Sequence, residues 1–109
     1  VADAIRYGAA IAAVPVKDTI KVVTSDGFAG ETPERSLLCQ VQTPQVYYTE
    51  RYKRALIDAR RNGIEFSDDS QIYEAMGQPV FITPGDYKNI KLTTPEDYLI
   101  AETFLQEEE

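Results

Sequence analysis

The 109 residues of this sequence contain no histidine. Any catalytic or ligand-binding site in it must therefore be built from lysine, arginine, threonine and aspartate side chains and backbone groups. Without histidine, a Ser-His or Cys-His nucleophilic site cannot form within the chain, and the commonest zinc ligand is missing. Charged and hydroxyl side chains, together with backbone amides, stabilise phosphate groups better than they move protons. The sequence therefore favours a site that handles phosphates.

Four short stretches carry these side chains, and each also has an ordinary structural explanation. Lys17 follows an apolar run, where it could meet a ligand at a strand end or only protect a sheet edge. Arg35 could bind a phosphate bidentately or be merely solvated, and Thr43 fits a helix cap as well as a ligand contact. Lys91 lies just before a helix start at Thr94, where it could help to bind an anion or be a surface lysine.

The elements predicted around these stretches form an α/β fold. The apolar run at 9–16 lacks alternation, which is typical of a strand buried on both faces. Thr43-Pro44 predicts a threonine cap and a proline in the first turn of a helix, and Ser67 is predicted to cap a shorter one. The predicted elements are helices at 1–7, from 44 to a stop at 62–63, at 68–76 and from 95 onward, strands at 9–16 and 79–83, a hairpin at 19–32 and an extended piece at 89–92.

Length and composition restrict the class of protein. A chain of 109 residues forms one small domain. Its net charge of −7 argues against binding a nucleic-acid backbone, and no apolar run approaches the roughly 20 residues that span a bilayer. Cys39 cannot form an internal disulfide and is expected to be a small buried residue in a reducing cytosol. We therefore expect a cytoplasmic protein that binds neither nucleic acid nor membrane.

The two ends of the sequence carry expectations of their own. The first seven residues include an aspartate and lack a basic start, so we expect no signal peptide. They would make less than two helical turns before Gly8, so we expect the chain to begin inside a helix of a larger protein. The glutamates at 107–109 are expected to be a solvated helix end.

Five motifs, taken in order, resemble the second half of the 2-C-methyl-D-erythritol 4-phosphate cytidylyltransferase family. They lie at residues 15–21 (PVKDTIK), 32–36 (TPERS), 42–45 (QTPQ), 66–70 (FSDDS) and 89–97 (NIKLTTPED). The resemblance covers essentially the whole chain. It implies an α/β fold, the C-terminal part of a Rossmann-like, mostly parallel nucleotidyltransferase sheet with a protruding β-hairpin arm. Residues 1–109 would be a single partial domain, and residues 17–35 would be a dimerisation arm within it.

The resemblance also implies an activity and roles for five residues. In that family CTP and 2-C-methyl-D-erythritol 4-phosphate react, with Mg²⁺, to give the CDP-alcohol and pyrophosphate for non-mevalonate isoprenoid synthesis. Lys91 would stabilise the reacting phosphates, and Arg35 would reach the substrate phosphate in the partner subunit of a homodimer. Thr19, Thr43 and Ser67 would bind substrate, Ser67 standing where relatives often have threonine. Mg²⁺ would come with CTP in the intact enzyme, and the resemblance implies no metal ligand in this chain.

Two features leave alternatives open. None of the six glycines belongs to a glycine-rich phosphate loop, and the resemblance places the family's nucleotide loop before residue 1, so this chain alone is expected to be inactive. Ribitol-5-phosphate cytidylyltransferases share the fold and several of the motifs. A non-catalytic dimerisation module derived from this family is the second alternative.

Overall fold

The chain combines helices with a three-stranded sheet, so the predicted α/β class is confirmed. The structure is a computed structural model that describes residues 1–108. Glu109, the last glutamate of the expected solvated end, lies outside the described residues. Among those described, no helix has the length and apolarity needed to cross a membrane. The elements are α1 (Ala2–Tyr7), β1 (Ala9–Pro15), a 3-10 turn (Arg35–Leu37), β2 (Cys39–Tyr47), α2 (Thr49–Arg61), α3 (Asp69–Ala75), β3 (Phe81–Pro84) and α4 (Pro95–Glu108).

β1 is the central strand of the sheet, which has the order β2-β1-β3. It pairs antiparallel with β2, from Ala9 opposite Tyr47 to Pro15 opposite Cys39, and parallel with β3. Over the described residues the sheet is therefore mixed and not mostly parallel. The reason is the connectivity: the chain returns from β1 to β2 without a crossover helix, whereas α2 and α3 supply the crossover that a parallel β3 requires.

The core lies around β1 and between two helices. Residues 9–14 of β1 are all buried, which confirms the prediction of a strand covered on both faces. Ala55 and Ala59 of α2 pack against Ile72 of α3. Cys39, expected to be buried, is exposed, because it lies at the start of an edge strand whose first residues are largely exposed.

The predicted helix start at Thr43-Pro44 is wrong. Both residues lie inside β2, their peptide bond is cis, and α2 begins only at Thr49 with Tyr48 as its N-cap. Pairing with β1 as far as Tyr47 overrides the local cap signal, since long-range contacts outweigh propensity. Pro44 is tolerated because β2 is an edge strand, where a missing amide donor costs little.

The caps of the two later helices differ in how well they were predicted. Helix α3 is capped by Asp68 and not by Ser67: the Asp68 carboxylate accepts from the Ser70 amide, and the Gln71 side chain accepts from the Asp68 amide. These paired bonds form a capping box that Ser67, one residue earlier, is not placed to make. The cap of α4 at Thr94 is confirmed. The extended piece predicted at 89–92 has no strand pairing and is a loop.

Residues 17–35 contain a short antiparallel ladder on the surface. The amide of Val22 donates to the carbonyl of Glu31 at 2.9 Å, and the amide of Thr24 donates to the carbonyl of Phe28 at 2.8 Å. The turn between them passes through Gly27, whose φ of 91° suits glycine. Val23 and Phe28 are 71% and 70% exposed. The dimerisation role of this segment stays a prediction.

The start of α4 is held by hydrogen bonds to Asp97. One carboxylate oxygen accepts from the amide of Thr93 at 3.0 Å and from the amide of Thr94 at 2.9 Å. In return, the amide of Asp97 donates to Thr94 Oγ1 at 3.3 Å. Hydrogen bonds from the amide and hydroxyl of Thr93, and then from the Thr94 amide, lower the pKa of Asp97 to about 2.

We expect Asp97→Asn to loosen the start of α4 and to remove a pH dependence. Because the folded-state pKa is depressed, the carboxylate stabilises the fold above its ordinary value of 3.8, and this contribution is lost as pH falls towards 2. Circular dichroism should show less helix in the variant at pH 7, and the difference from wild type should shrink between pH 4 and pH 2. Glu96→Gln, one residue earlier, is the matched control. A difference that stays constant over this pH range would contradict the prediction.

Candidate functional site

Two adjoining clefts meet at the irregular part of β2. Their volumes are about 530 Å³ and about 390 Å³. Thr43, Gln45 and Asp68 line both of them, and we call the combined space the Thr43 cleft. Its other lining residues are Pro44, Phe66, Ser67 and Asp69 in the larger part and Val41, Gln42, Asn89, Ile90 and Lys91 in the smaller part.

A bulge in β2 places Thr43 at this cleft. The pairing register of β2 shifts between Ile11 and Ala13 of β1, so residues 42–44 lie opposite a single residue of the central strand. Bulges redirect side chains and are common beside active sites. The sheet thus supplies a rigid support on which residues 42–44 leave the regular ladder.

Asp68 forms one side of the cleft. One carboxylate oxygen accepts a 2.7 Å hydrogen bond from Gln45 Nε2, and the other accepts from the amide and the hydroxyl of Ser70. Partial burial opposes the charged form, but these hydrogen bonds outweigh it and lower the pKa of Asp68. The ionised carboxylate therefore links β2 to the start of α3 beside Ser67.

Tyr47 and Tyr52 donate hydrogen bonds to two polar side chains that line the cleft. The Tyr47 hydroxyl donates to Gln45 Oε1 at 3.0 Å, and the Tyr52 hydroxyl donates to Asp69 Oδ1 at 3.0 Å. Burial, followed by the negative charges of Asp68 and Asp69, raises the pKa of Tyr47 well above its ordinary value. Burial, followed by the hydrogen bond with Asp69, raises the pKa of Tyr52 as well, so both tyrosines stay protonated and keep donating to these polar side chains.

The structure brings together three of the five predicted site residues. Thr43, Ser67 and Lys91 line the Thr43 cleft. Thr19 is exposed in the segment after β1 and does not line it. Arg35 lies in the 3-10 turn, where its Nη1 donates to the carbonyl of Lys17 at 2.7 Å, also outside the cleft. The catalytic and binding roles of all five residues stay predictions.

Sequence reasoning missed the residues that join the parts of the cleft. Asp68 was placed only within the helix predicted at 68–76 and the motif at 66–70, yet it lines both parts of the cleft together with Thr43. Gln42 and Asn89 bond the loop before Lys91 to β2. The signal available in the sequence was the pair of glutamines that flank Thr43-Pro44. Amides in such a motif can satisfy backbone groups where a strand departs from its ladder.

The residues described here do not fit a protein-held metal ion. Residues 1–108 contain no group of three or more aspartate, glutamate, cysteine or histidine side chains that could hold one. Asp68, the best placed carboxylate, already accepts hydrogen bonds from Gln45 and Ser70. Mg²⁺ is commonly bound through one or two carboxylates together with substrate phosphates, but the two carboxylates that line the larger part of the cleft, Asp68 and Asp69, already accept hydrogen bonds from protein side chains.

Nearly the whole chain matches proteins of known family. The family model for 2-C-methyl-D-erythritol 4-phosphate cytidylyltransferase matches residues 1–107. Curated relatives with that name include one from Desulforamulus reducens, 50% identical over 104 residues, and one from Geobacillus thermodenitrificans, 52% identical over 103 residues. These matches cover 95% and 94% of this chain but 44% of each relative. The chain thus spans less than half the length of the relatives that it matches.

Solved structures agree with this assignment. The 2-C-methyl-D-erythritol 4-phosphate cytidylyltransferase of Thermus thermophilus superposes with a TM-score of 0.82 at 36% identity, over 96% of this chain and 52% of that protein. The 4-diphosphocytidyl-2C-methyl-D-erythritol synthase of Anaerococcus prevotii gives 0.85 at 32% identity, over 96% and 49%. Family model, relatives and structures therefore converge, and the chain belongs to the 2-C-methyl-D-erythritol 4-phosphate cytidylyltransferase family.

Proposed function

We propose that the full-length protein transfers CMP from CTP to 2-C-methyl-D-erythritol 4-phosphate and releases pyrophosphate, as a step of isoprenoid precursor synthesis. The observation that carries the proposal is the family match over residues 1–107, which includes every residue of the Thr43 cleft. The activity is proposed for the full-length protein because the chain covers 44% of the relatives' length.

The two ends of the Thr43 cleft suit the two parts of such a substrate. The Asp68 carboxylate can accept hydrogen bonds from a polyol, and the hydroxyls of Thr43 and Ser67 can both accept and donate them. Lys91, at the other end, carries a positive charge suited to phosphate. A phosphorylated sugar alcohol would therefore place its hydroxyls towards Ser67 in the larger part and its phosphate towards Lys91 in the smaller part.

The proposed reaction needs electrostatic help and no general base. A phosphate monoester has a second pKa near 6, so it is already anionic at neutral pH. One of its oxygens attacks the α-phosphorus of CTP, the new phosphoanhydride bond forms, and the bond to the β-phosphate breaks with pyrophosphate leaving. Lys91 stabilises the charge on the phosphate oxygens. Mg²⁺ is proposed to accompany the CTP phosphates, with no ligand from this chain.

We also propose that residues 17–35 form the arm of a homodimer and carry Arg35 to the partner's cleft, with Thr19 of the same segment as a substrate-binding residue. Val23 and Phe28 are largely exposed, and an isolated two-stranded hairpin is marginal in water. A second copy of the chain would bury this apolar surface. A cytoplasmic location is proposed with this function, because the single cysteine is free and free thiols are usual in reducing compartments.

The test is pyrophosphate release by the purified full-length protein with CTP and Mg²⁺. We expect turnover with 2-C-methyl-D-erythritol 4-phosphate and at least about tenfold lower kcat/KM with ribitol 5-phosphate, since a misplaced hydroxyl leaves cleft groups unpaired. A reversed preference would favour the ribitol-phosphate alternative. Inactivity with both substrates would support a non-catalytic module instead.

The 109-residue chain alone is expected neither to bind CTP measurably nor to catalyse the transfer. Its six glycines do not form a phosphate-cradling loop, and within residues 1–108 the cleft offers a single lysine. Titration calorimetry with CTP and Mg²⁺ measures the binding, and the full-length protein is the positive control. Micromolar affinity in the isolated chain would contradict the prediction.

A further inference from the structure

The loop that leads to Lys91 is fastened to the bulge of β2 by two side-chain amides. Gln42 Nε2 donates to the carbonyl of Asp86 at 2.8 Å, and Gln42 Oε1 accepts from the amide of Asp86 at 3.3 Å. Asn89 Nδ2 donates to the carbonyl of Thr43 at 2.6 Å. Asn89 therefore bonds to the backbone of Thr43, and the hydroxyl of Thr43 is proposed to bind substrate.

The same loop is also held against the end of β1. The amide of Gly85 donates to the carbonyl of Ala13 at 2.9 Å, and a Cβ on Gly85 would collide with Gln42 Oε1. The Tyr87 hydroxyl donates to the carbonyl of Pro15 at 2.6 Å. These contacts fix where the loop lies. Asn89 is the last residue before Lys91 whose side chain bonds the loop to the sheet.

We propose that Asn89, supported by Gln42, is a positioning residue that sets the place of Lys91 relative to Thr43. The inference rests on the proposed function. A lysine side chain is long and flexible, so the point at which its backbone is anchored determines where its charge can be held. Asn89 is two residues from Lys91 and bonds directly to Thr43, so one amide controls both sides of the smaller cleft. A misplacement of about 1 Å in a phosphate-handling site can cost about 10²-fold in rate.

The first test is steady-state kinetics of Asn89→Ala in the full-length protein. We expect kcat to fall about 10- to 100-fold, with KM for CTP changed less than about threefold, because the nucleotide is not proposed to contact Asn89. The melting temperature should move by no more than about 3 °C, since Asn89 is exposed. Asn89→Asp keeps the shape and removes the donor, so the same loss is expected, and this variant carries the test if Asn89→Ala does not fold. Unchanged kcat in a folded variant overturns the inference.

Gln42 offers a matched comparison on one strand. Gln42→Ala should lower kcat in the same direction as Asn89→Ala, because it frees the Asp86 backbone and loosens the loop. Gln40→Ala, an exposed glutamine two residues earlier on β2, should leave kcat unchanged. Equal losses in the two glutamine variants would show a general effect of altering β2 and would overturn the proposed role of the loop contact.

A double-mutant cycle separates positioning from a merely structural role. If Asn89 acts through Lys91, Asn89→Ala should cost little further activity in a Lys91→Ala background, whereas independent effects would multiply. Multiplying effects overturn the inference while the proposed function stands. If wild-type full-length protein releases no pyrophosphate with 2-C-methyl-D-erythritol 4-phosphate, the proposed function fails first and the inference falls with it, so the two failures are distinguishable.

Discussion

Replacing Lys91 with alanine in the full-length protein is expected to lower kcat by roughly 10²- to 10³-fold without unfolding it. Lys91 is exposed and lines the smaller part of the Thr43 cleft, so removing it takes away a positive charge from the site and little packing. Groups that stabilise charge on transferring phosphates are worth this much in comparable reactions. Pyrophosphate release under saturating CTP and sugar-alcohol phosphate measures the loss, and circular dichroism checks the fold.

Lys88 is the matched control for Lys91 because it lies in the same loop. Its Nζ forms a 2.8 Å ion pair with Glu107, and this hydrogen bond and charge raise the pKa of Lys88. Lys88→Ala removes the same charge from the chain but leaves the cleft unchanged, so kcat should change by less than about threefold. If both lysine variants lose activity equally, the effect is one of net charge or of loop structure, and the catalytic role of Lys91 is wrong.

The elements that the sequence predicted correctly are those whose local signals agree with the long-range contacts. The unalternating run at 9–16 could only be a buried strand or a buried helix, and Gly8, in the left-handed conformation with φ of 94°, separates it from α1. Thr94-Pro95 predicts a helix start, and α4 begins there. Thr43-Pro44 carries the same signal, yet residues 39–47 pair with β1. The two windows differ at the third residue after the threonine, where Asp97 completes the cap of α4 and Val46 offers no side-chain acceptor. Pairing with β1 then decides the conformation of residues 39–47.

The site was predictable where one residue type carries the chemistry and unpredictable where geometry does. Lys91, Thr43 and Ser67 could be chosen by charge, by hydroxyl chemistry and by resemblance, and they share one cleft. Asn89 is an ordinary loop residue until the bulge of β2 brings the Thr43 carbonyl within 2.6 Å of its amide. Arg35 is the opposite case. Its guanidinium is suited to binding phosphate, but within one chain it lies outside the Thr43 cleft.

Arg35 and Lys91 are expected to complement each other across a dimer. Within one chain Arg35 bonds to the carbonyl of Lys17 and does not line the cleft that contains Lys91. If Arg35 acts in that reaction, it must therefore act on a cleft of a second chain or move from its observed place. Arg35→Ala and Lys91→Ala should each be folded and nearly inactive as pure full-length proteins. Arg54→Ala, an exposed arginine of α2, is the matched control and should stay active.

Mixing the two inactive variants gives the decisive measurement. In a heterodimer, one site combines Lys91 from the Arg35→Ala chain with Arg35 from the Lys91→Ala chain, and the other site lacks both. Random pairing makes half of the dimers mixed, so co-refolded equal amounts should recover roughly a quarter of wild-type activity per total site. Subunit exchange is verified with differently tagged chains. If verified heterodimers stay as inactive as either parent, Arg35 does not act across the interface, and the proposed role of residues 17–35 in building the site is wrong.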